Sequence, residues 1–323
     1  MTRRILRVQD EDGQVIVFVV ALIVVLFGMG ALIIDGGSWF RAHRQAQTAA
    51  DAAALAGVQE LPSSPPNAQA KAIEYAGANY SGLPTPAVTF PSSPSPPCST
   101  SVSSCIRVVA TTTTPGFFAR IFGTEFDNVT VTARAMAAVT VPTMMKNVAP
   151  IAVKDTIACK IPSCFGQTKT VSFDESNVSS STIGLIDLTC HSTASTACPW
   201  NAGIGANELR SWIIDGYPAA LPSGQWYGVK TGQTIGPIRQ GLTDRIGVPL
   251  FFPVFDETDH AGSVWYFHIV GWASFVIDSV DSWSPSNKRL TGHFVTFTTS
   301  DLPAGVPPDD TNDFGVHILT LVE

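Results

Sequence analysis

The feature that most constrains the fold is an uncharged run near the N-terminus. Residues 15–34 read VIVFVVALIVVLFGMGALII and contain no charged or strongly polar side chain. A helix of that length spans roughly 30 Å, which is the thickness of the hydrocarbon core of a bilayer. The run therefore predicts one transmembrane helix over residues 15–34, preceded by a short segment of residues 1–14.

A cleaved signal peptide and a buried core helix are the two alternatives for this run. A signal peptide has a basic start, as here, but its apolar region is about 7–15 residues long and ends in an A-x-A-like cleavage site. This run is longer and is followed by Asp35-Gly36-Gly37. A core helix would usually carry a polar face. We therefore expect a membrane anchor that is retained.

The orientation of the anchor depends on charges and cysteines. Arg3, Arg4 and Arg7 precede the span and Arg41 and Arg44 follow it, so the positive-inside rule only weakly favours a cytoplasmic N-terminus. All six cysteines lie after the span, and disulfides persist in oxidising compartments. We expect a single-pass protein of the cell membrane, with residues 1–14 in the cytoplasm and the C-terminal body extracytoplasmic.

Composition excludes two classes of protein. With 19 basic and 26 acidic residues and a net charge of −7, the chain lacks the basic footprint of a nucleic-acid-binding protein, so no nucleic-acid partner is expected. A hydrophobic fraction of 45% excludes a fully disordered chain. The 23 prolines and 26 glycines indicate a loop-rich body.

The residues after the run have the period of an amphipathic helix, which we expect over residues 35–60. Its small side chains predict a face that a following module or a partner's helix can approach closely, and this docking face consists of Ala46, Ala49, Ala50 and Ala53. The alternative is that the alanines only favour a helix, because Ala has the highest helix propensity. Gln47 and Asp51 are four residues apart and can hydrogen-bond along the helix.

The order of these features carries a resemblance. It consists of Glu11-Asp12-Gly13, the apolar span, Ile34-Asp35-Gly36, and the block QTAADAAALA over residues 47–56. This order resembles the N-terminal segment of TadE/TadG-like proteins of the Flp (Tad) pilus assembly system. The resemblance covers residues 10–60 closely and extends more loosely to about residue 141.

The resemblance implies a bacterial apparatus that assembles thin adhesive pili. Its partners would be the membrane and other pilus-assembly or envelope proteins, and its role would be non-enzymatic. Members of the TadE and TadF type are cut after a glycine that is followed, five residues later, by Glu. Here Phe18 stands in that position after Gly13, so the chain departs from the processing motif. The D-x-S-x-S metal motif of many TadG-type proteins is also missing.

The rest of the chain divides into two units in sequence. Residues 61–145 predict a small α+β module, with a helix over residues 67–80 and strands over residues 105–112 and 128–141. Residues 146–323 predict a β-rich extracytoplasmic domain, sandwich- or barrel-like, because many strands alternate with Gly and Pro turns. The fold class is α+β. The expected elements of the second unit are a helix at Ala206–Ile214 and strands at 169–173, 183–188, 226–229, 248–255, 264–277, 290–298 and 314–322.

The cysteines fall as three close pairs. Six cysteines allow 15 connectivities, and the pattern in which each bridge closes one local loop is the simplest. Cross-pairing stays open, and zinc is less favoured because no CxxC motif occurs. The expected bridges are Cys98–Cys105, Cys159–Cys164 and Cys190–Cys198.

Motifs for catalysis or cofactor binding are missing from the sequence. It contains no G-x-S-x-G elbow, P-loop, H-E-x-x-H or dinucleotide fingerprint, so we expect no enzyme, no catalytic residue and no cofactor. Asp256, Glu257 and Asp259 form the densest acidic cluster and are candidates for a calcium site. The favoured alternative is a solvated hairpin turn. Two other functions stay open, an adhesin or binding protein without a pilus and a membrane-tethered hydrolase.

Overall fold

The computed structural model of this chain describes most of its length. The described ranges are 12–92, 97–99, 101–160, 164–174, 177–201, 203–230, 236–284, 288–299, 301–303, 305–309 and 311–322. Residues 1–11 of the expected cytoplasmic segment lie outside them.

The apolar run and the alanine block form one uninterrupted helix, α1 (Asp12–Val58). Its 47 residues extend about 70 Å at 1.5 Å per residue. Gly36 and Gly37 do not break it, since a helical Gly costs only about 1 kcal/mol relative to Ala. Side chains of residues 15–29 are exposed, whereas those of Ala46, Ala49 and Ala50 are buried. The helix therefore has an N-terminal half without protein contacts on most of its surface, the bare half, and a C-terminal half embedded in protein.

Three shorter α-helices and a series of strands follow in the described residues. The helices are α2 (Pro65–Asn79), α3 (Ala206–Ile214) and α4 (Gly236–Asp244). The strands of the described residues are β1 (Ala87–Thr89), β2 (Cys105–Pro115), β3 (Asn128–Thr140), β4 (Met144–Met145), β5 (Ile151–Lys154), β6 (Thr168–Phe173), β7 (Ile183–Ser192), β8 (Leu221–Pro222), β9 (Gln225–Lys230), β10 (Pro249–Ala261), β11 (Val264–Trp283), β12 (Lys288–Val295), β13 (Phe297–Thr299) and β14 (Val316–Leu321).

The second half of α1 packs on a five-stranded sheet of order β1-β2-β3-β14-β13. Its centre is the long β2–β3 hairpin, in register from Cys105 opposite Ala138 to Pro115 opposite Asn128. β14 pairs antiparallel with β3. The expected small module of residues 61–145 therefore shares its sheet with two strands from the C-terminal end of the chain.

The larger sheet has the order β10-β5-β7-β9-β11-β12-β6, and β10 also pairs with β11. These pairings close a ring of β5, β7, β9, β11 and β10, so this part of the body is barrel-like. The rings of Phe255 and Phe267 stack inside it with centroids 3.9 Å apart. Gly184 is required beneath them, because a Cβ there would lie 2.5 Å from the Phe267 ring. The predicted α+β class is confirmed.

One helix of the body, α4, has no counterpart among the expected elements. Its sequence GPIRQGLTD contains two glycines in nine residues, and Gly is among the poorest helix formers, whereas Pro237 lies in the first turn, where Pro is tolerated. Ile238 and Leu242 bury its inner face. Asp244 at its end accepts a hydrogen bond from Arg210 of α3 at 2.8 Å. Packing and this contact therefore outweigh an unfavourable propensity.

The end of α1 approaches its neighbours more closely than a side chain would allow. A Cβ on Gly57 would lie 2.5 Å from Cδ1 of Ile106 and 2.8 Å from the carbonyl oxygen of Ala68. Gly77 of α2 is the opposite case, because nothing lies within 4 Å of a Cβ built there. The two glycines offer a matched comparison within one packed unit.

Gly57→Ala should destabilise the protein by about 1–3 kcal/mol, because the Ala68 backbone cannot move aside without shifting α2. Gly77→Ala should leave stability unchanged or raise it by about 0.5–1 kcal/mol through helix propensity. Thermal unfolding of the detergent-solubilised full-length chain compares the two variants. Equal melting temperatures would contradict the close packing at Gly57.

Candidate functional site

The junction between the bare and embedded halves of α1 is organised by Asp35. This carboxylate directly follows the apolar run and is only 2% exposed. It accepts hydrogen bonds from the backbone N–H groups of Phe117 at 2.8 Å, Phe118 at 2.9 Å and Ala119 at 2.6 Å. Those groups begin a short 3-10 helix, Ala119–Phe122, and helix N-termini favour a negative side chain. Asp35 thus caps a distant turn and fastens it to α1.

The ionisation of Asp35 follows from the same contacts. Burial raises the pKa of this carboxyl, but the N–H groups of Ala119, Phe117 and Phe118 and the charge of Arg120 together hold the pKa below its usual value. The group is therefore ionised at neutral pH. A lowered pKa in the folded state means that its contribution to stability is present above the unfolded value and is lost as the pH falls through the folded one.

Asp35 binds the segment of residues 116–127. We call this segment the membrane-proximal loop, because Asp35 directly follows the apolar run. It exposes Phe117, Phe118 and Ile121, the last at 79%. Between the loop and α1 lies a largely apolar cavity of about 570 Å³. The cavity is lined by Phe27, Gly28, Ala31, Leu32, Asp35, Trp39, Phe118, Ala119, Ile121 and Phe126.

The alanine face of α1 lies inside the small module. Ala46, Ala50 and Ala53 belong to one buried cluster that also contains residues of α2, β2 and β3, and Ala49 is equally buried. Gln47 beside them donates a hydrogen bond to Asp51 at 2.7 Å and another to the carbonyl oxygen of Arg134 at 2.8 Å. The polar block next to the alanines therefore fastens α1 to β3.

Three disulfides close short loops of the body. Cys98–Cys105 joins the start of β2 to the segment before it, Cys159–Cys164 follows β5, and Cys190–Cys198 closes the loop after β7. The described residues contain no free cysteine. All three bridges lie on the C-terminal side of the apolar run.

The acidic cluster lies along the β10–β11 hairpin. Asp256 forms a hydrogen bond with Nδ1 of His268 at 2.8 Å, and Asp259 accepts one from the backbone N–H of His260 at 2.8 Å. Glu257 is paired in register with His268 of β11. Within the described residues, no three side chains of His, Cys, Asp or Glu converge on a point where they could hold a metal ion. The structure thus does not bring the three calcium candidates together as ligands.

The most enclosed acid–base pair of the described residues is His317 with Asp313. Nε2 of His317 lies 2.9 Å from the Asp313 carboxylate, and both side chains are only 5% exposed. Asp313 also accepts a hydrogen bond from the backbone N–H of Gly315. A pair sealed from solvent in this way orders the turn before β14 and offers no access to a substrate.

The role of Asp35 is the functional feature that sequence analysis missed. The bonded groups are 82–84 residues away in the chain, so no local pattern connects them. A signal was present nevertheless. Asp35 is the first charged residue after the long apolar run, and such a charge needs hydrogen-bond partners wherever the fold buries it.

These observations define a class of protein. Among the described residues, one helix is long and apolar enough to cross a membrane, and it continues into a disulfide-containing α+β body. Residues 13–60 match the family described as Putative Flp pilus-assembly TadE/G-like, so this N-terminal segment is TadE/G-like and the predicted resemblance is confirmed. The match coincides almost entirely with α1. Comparisons with curated proteins and with solved structures gave no match.

Asp35→Ala should release the membrane-proximal loop, because the N–H groups of residues 117–119 lose their acceptor. Hydrogen exchange at these three amides should speed up by about tenfold or more in the detergent-solubilised chain. Asp127→Ala is the matched control, since it removes an exposed carboxylate from the same loop. Equal exchange in the parent and in Asp35→Ala would rule out the cap.

Proposed function

We propose that this protein is a non-enzymatic, membrane-anchored component of a Tad/Flp-type pilus assembly or surface apparatus, with its C-terminal body outside the membrane. The observation that carries the proposal is the TadE/G-like match over residues 13–60, which unites the apolar run and the alanine block in one helix. Its partners in this proposal are the membrane and other pilus-assembly or envelope proteins.

The continuity of α1 supports a positioning role. α1 leaves the bilayer and continues into the body without a break at Gly36 and Gly37. A continuous helix of this kind holds the body at a fixed height and orientation relative to the membrane. The alanine face, Ala46, Ala49, Ala50 and Ala53, acts here as the docking surface on which the small module is built. Its side chains are small enough for the backbones to approach closely and gain dispersion contacts.

The extracytoplasmic orientation is supported by the three disulfides. Such bridges persist in oxidising compartments, and all of them follow the apolar run. The proposed cytoplasmic part is residues 1–14.

The mature protein should keep its apolar run. Edman sequencing of the protein extracted from membranes should begin before Val15, and alkaline carbonate should leave the chain in the membrane pellet, because the run is long enough to span the hydrocarbon core. A mature N-terminus beyond Ile34 together with a soluble protein would overturn the anchor.

Pilus-assembly components should co-purify with the tagged, detergent-solubilised full-length chain from its native host. A matched control is the same tagged body carrying an unrelated membrane span in place of residues 15–34. Recovery of pilus-assembly proteins with the native chain and loss of surface pili on deletion would support the proposal. Normal pili in the deletion strain would instead favour an adhesin or binding protein without a pilus.

A further inference from the structure

We propose that the membrane-proximal loop inserts into the leaflet on the body side of the bilayer, and that lipid acyl chains fill the cavity between this loop and α1. The proposal rests on the membrane anchoring proposed above. It adds a second point of attachment, formed by residues 116–127, to the single transmembrane helix.

The apolar surface of the loop is the first observation. Phe117 is 55% exposed, Phe118 40% and Ile121 79%, all within five residues. The cost of exposing apolar side chains to water grows with their exposed area, so three such residues together favour removal of this surface from water. Because the loop lies next to a membrane span, these side chains can leave water by entering the hydrocarbon core of the bilayer.

The position of the loop along α1 is the second observation. The cavity is lined by residues of α1 from Trp39 back to Phe27, and Phe27 lies eight residues before Asp35. At 1.5 Å per residue that is about 12 Å along the helix, measured into the apolar run. Because Asp35 holds the loop against α1, the loop enters the bilayer whenever the apolar run does.

The hydrogen bonding of the loop backbone is the third observation. Backbone groups in hydrocarbon must find partners within the protein. Asp35 accepts from three N–H groups, and backbone carbonyls accept from Gly116, Ile121, Gly123 and Phe126. These contacts give seven N–H groups of the loop a partner within the protein, which lowers the cost of placing its backbone in hydrocarbon.

Polar groups at the edge of the loop suit the headgroup region. Arg120 and Glu125 are exposed, and a long Arg side chain can extend to phosphate groups while its stem stays among apolar atoms. The indole N–H of Trp39, which lines the cavity, has no hydrogen-bond partner in the part of the chain that the structure describes. Trp is enriched at this depth in membrane proteins.

Lipid is favoured over a second protein helix as the occupant of the cavity. The exposed side chains of α1 are distributed around the whole helix, for example Phe27 at 75% and Ile33 at 71%. Lipid that surrounds the span therefore has continuous access to the cavity, and no additional partner is needed to cover it.

Site-directed fluorescence in phosphatidylcholine vesicles tests the insertion. Since the described cysteines are all paired in disulfides, a new cysteine supplies a free thiol for an environment-sensitive dye. Ile121→Cys and, independently, Phe117→Cys probe the loop. Val24→Cys reports on the span, because Val24 is 65% exposed and does not line the cavity. Gln59→Cys reports on water, because Gln59 is exposed and directly follows the end of α1, about 35 Å of helix rise beyond Asp35.

The two loop dyes should show blue-shifted emission and several-fold quenching by bromine-labelled acyl chains, as at position 24, with little quenching by aqueous iodide. Position 59 should show the reverse. Iodide quenching at both loop positions, with acyl-chain quenching at position 24, would overturn loop insertion while leaving the anchor intact. Iodide quenching at position 24 would overturn the anchor itself. Protection of the loop from both quenchers would mean that protein fills the cavity, and would overturn the lipid proposal.

Discussion

The close approach of α1 to its neighbours is the constraint on which the rest of the structure depends. Only Gly fits at position 57, against Ile106 and the backbone of Ala68. The alanines of the buried face in the preceding turns have no exposed surface, namely Ala46, Ala49, Ala50, Ala53 and Ala54. At this distance many weak dispersion contacts add up, and little free space remains for α1 to shift. The anchor is therefore also the structural centre of the small module, so the body cannot turn on its membrane span without unpacking.

α1 lies in two environments, lipid before Asp35 and protein after it. The side chains of residues 15–29 of α1 are exposed and suit lipid, and from Ala42 onward one face is buried in protein. A charged group at such a boundary is stable only if hydrogen bonds replace its hydration. The loop supplies them as three N–H groups, and in return the carboxylate satisfies backbone donors that an apolar setting would leave unpaired.

Sequence analysis predicted the features that local patterns encode. The apolar run, the helical period of residues 35–60, the Gln47–Asp51 contact and the alternation in β3 depend on residues close in the chain. It did not predict that β14 joins β3, that β10 closes a ring with β5, or that Asp35 binds the loop. Each of these is a contact between distant segments, chosen by packing. α4 was missed for the opposite reason, because packing outweighs its poor local propensity.

The chain passes directly between the five-stranded and the seven-stranded sheet at two places. β12 of the barrel-like sheet ends at Val295 and β13 of the small sheet begins at Phe297, so one residue separates them. Near the C-terminal end, Phe314 lies in the barrel core while Ile318, four residues later, pairs with Thr140 of β3. A connection of one residue and a C-terminal segment that packs in both units leave little freedom for one sheet to swing against the other. The orientation that α1 imposes on the small module therefore extends to the barrel, and an anchor at one end of the chain can position a surface at the far side of the body.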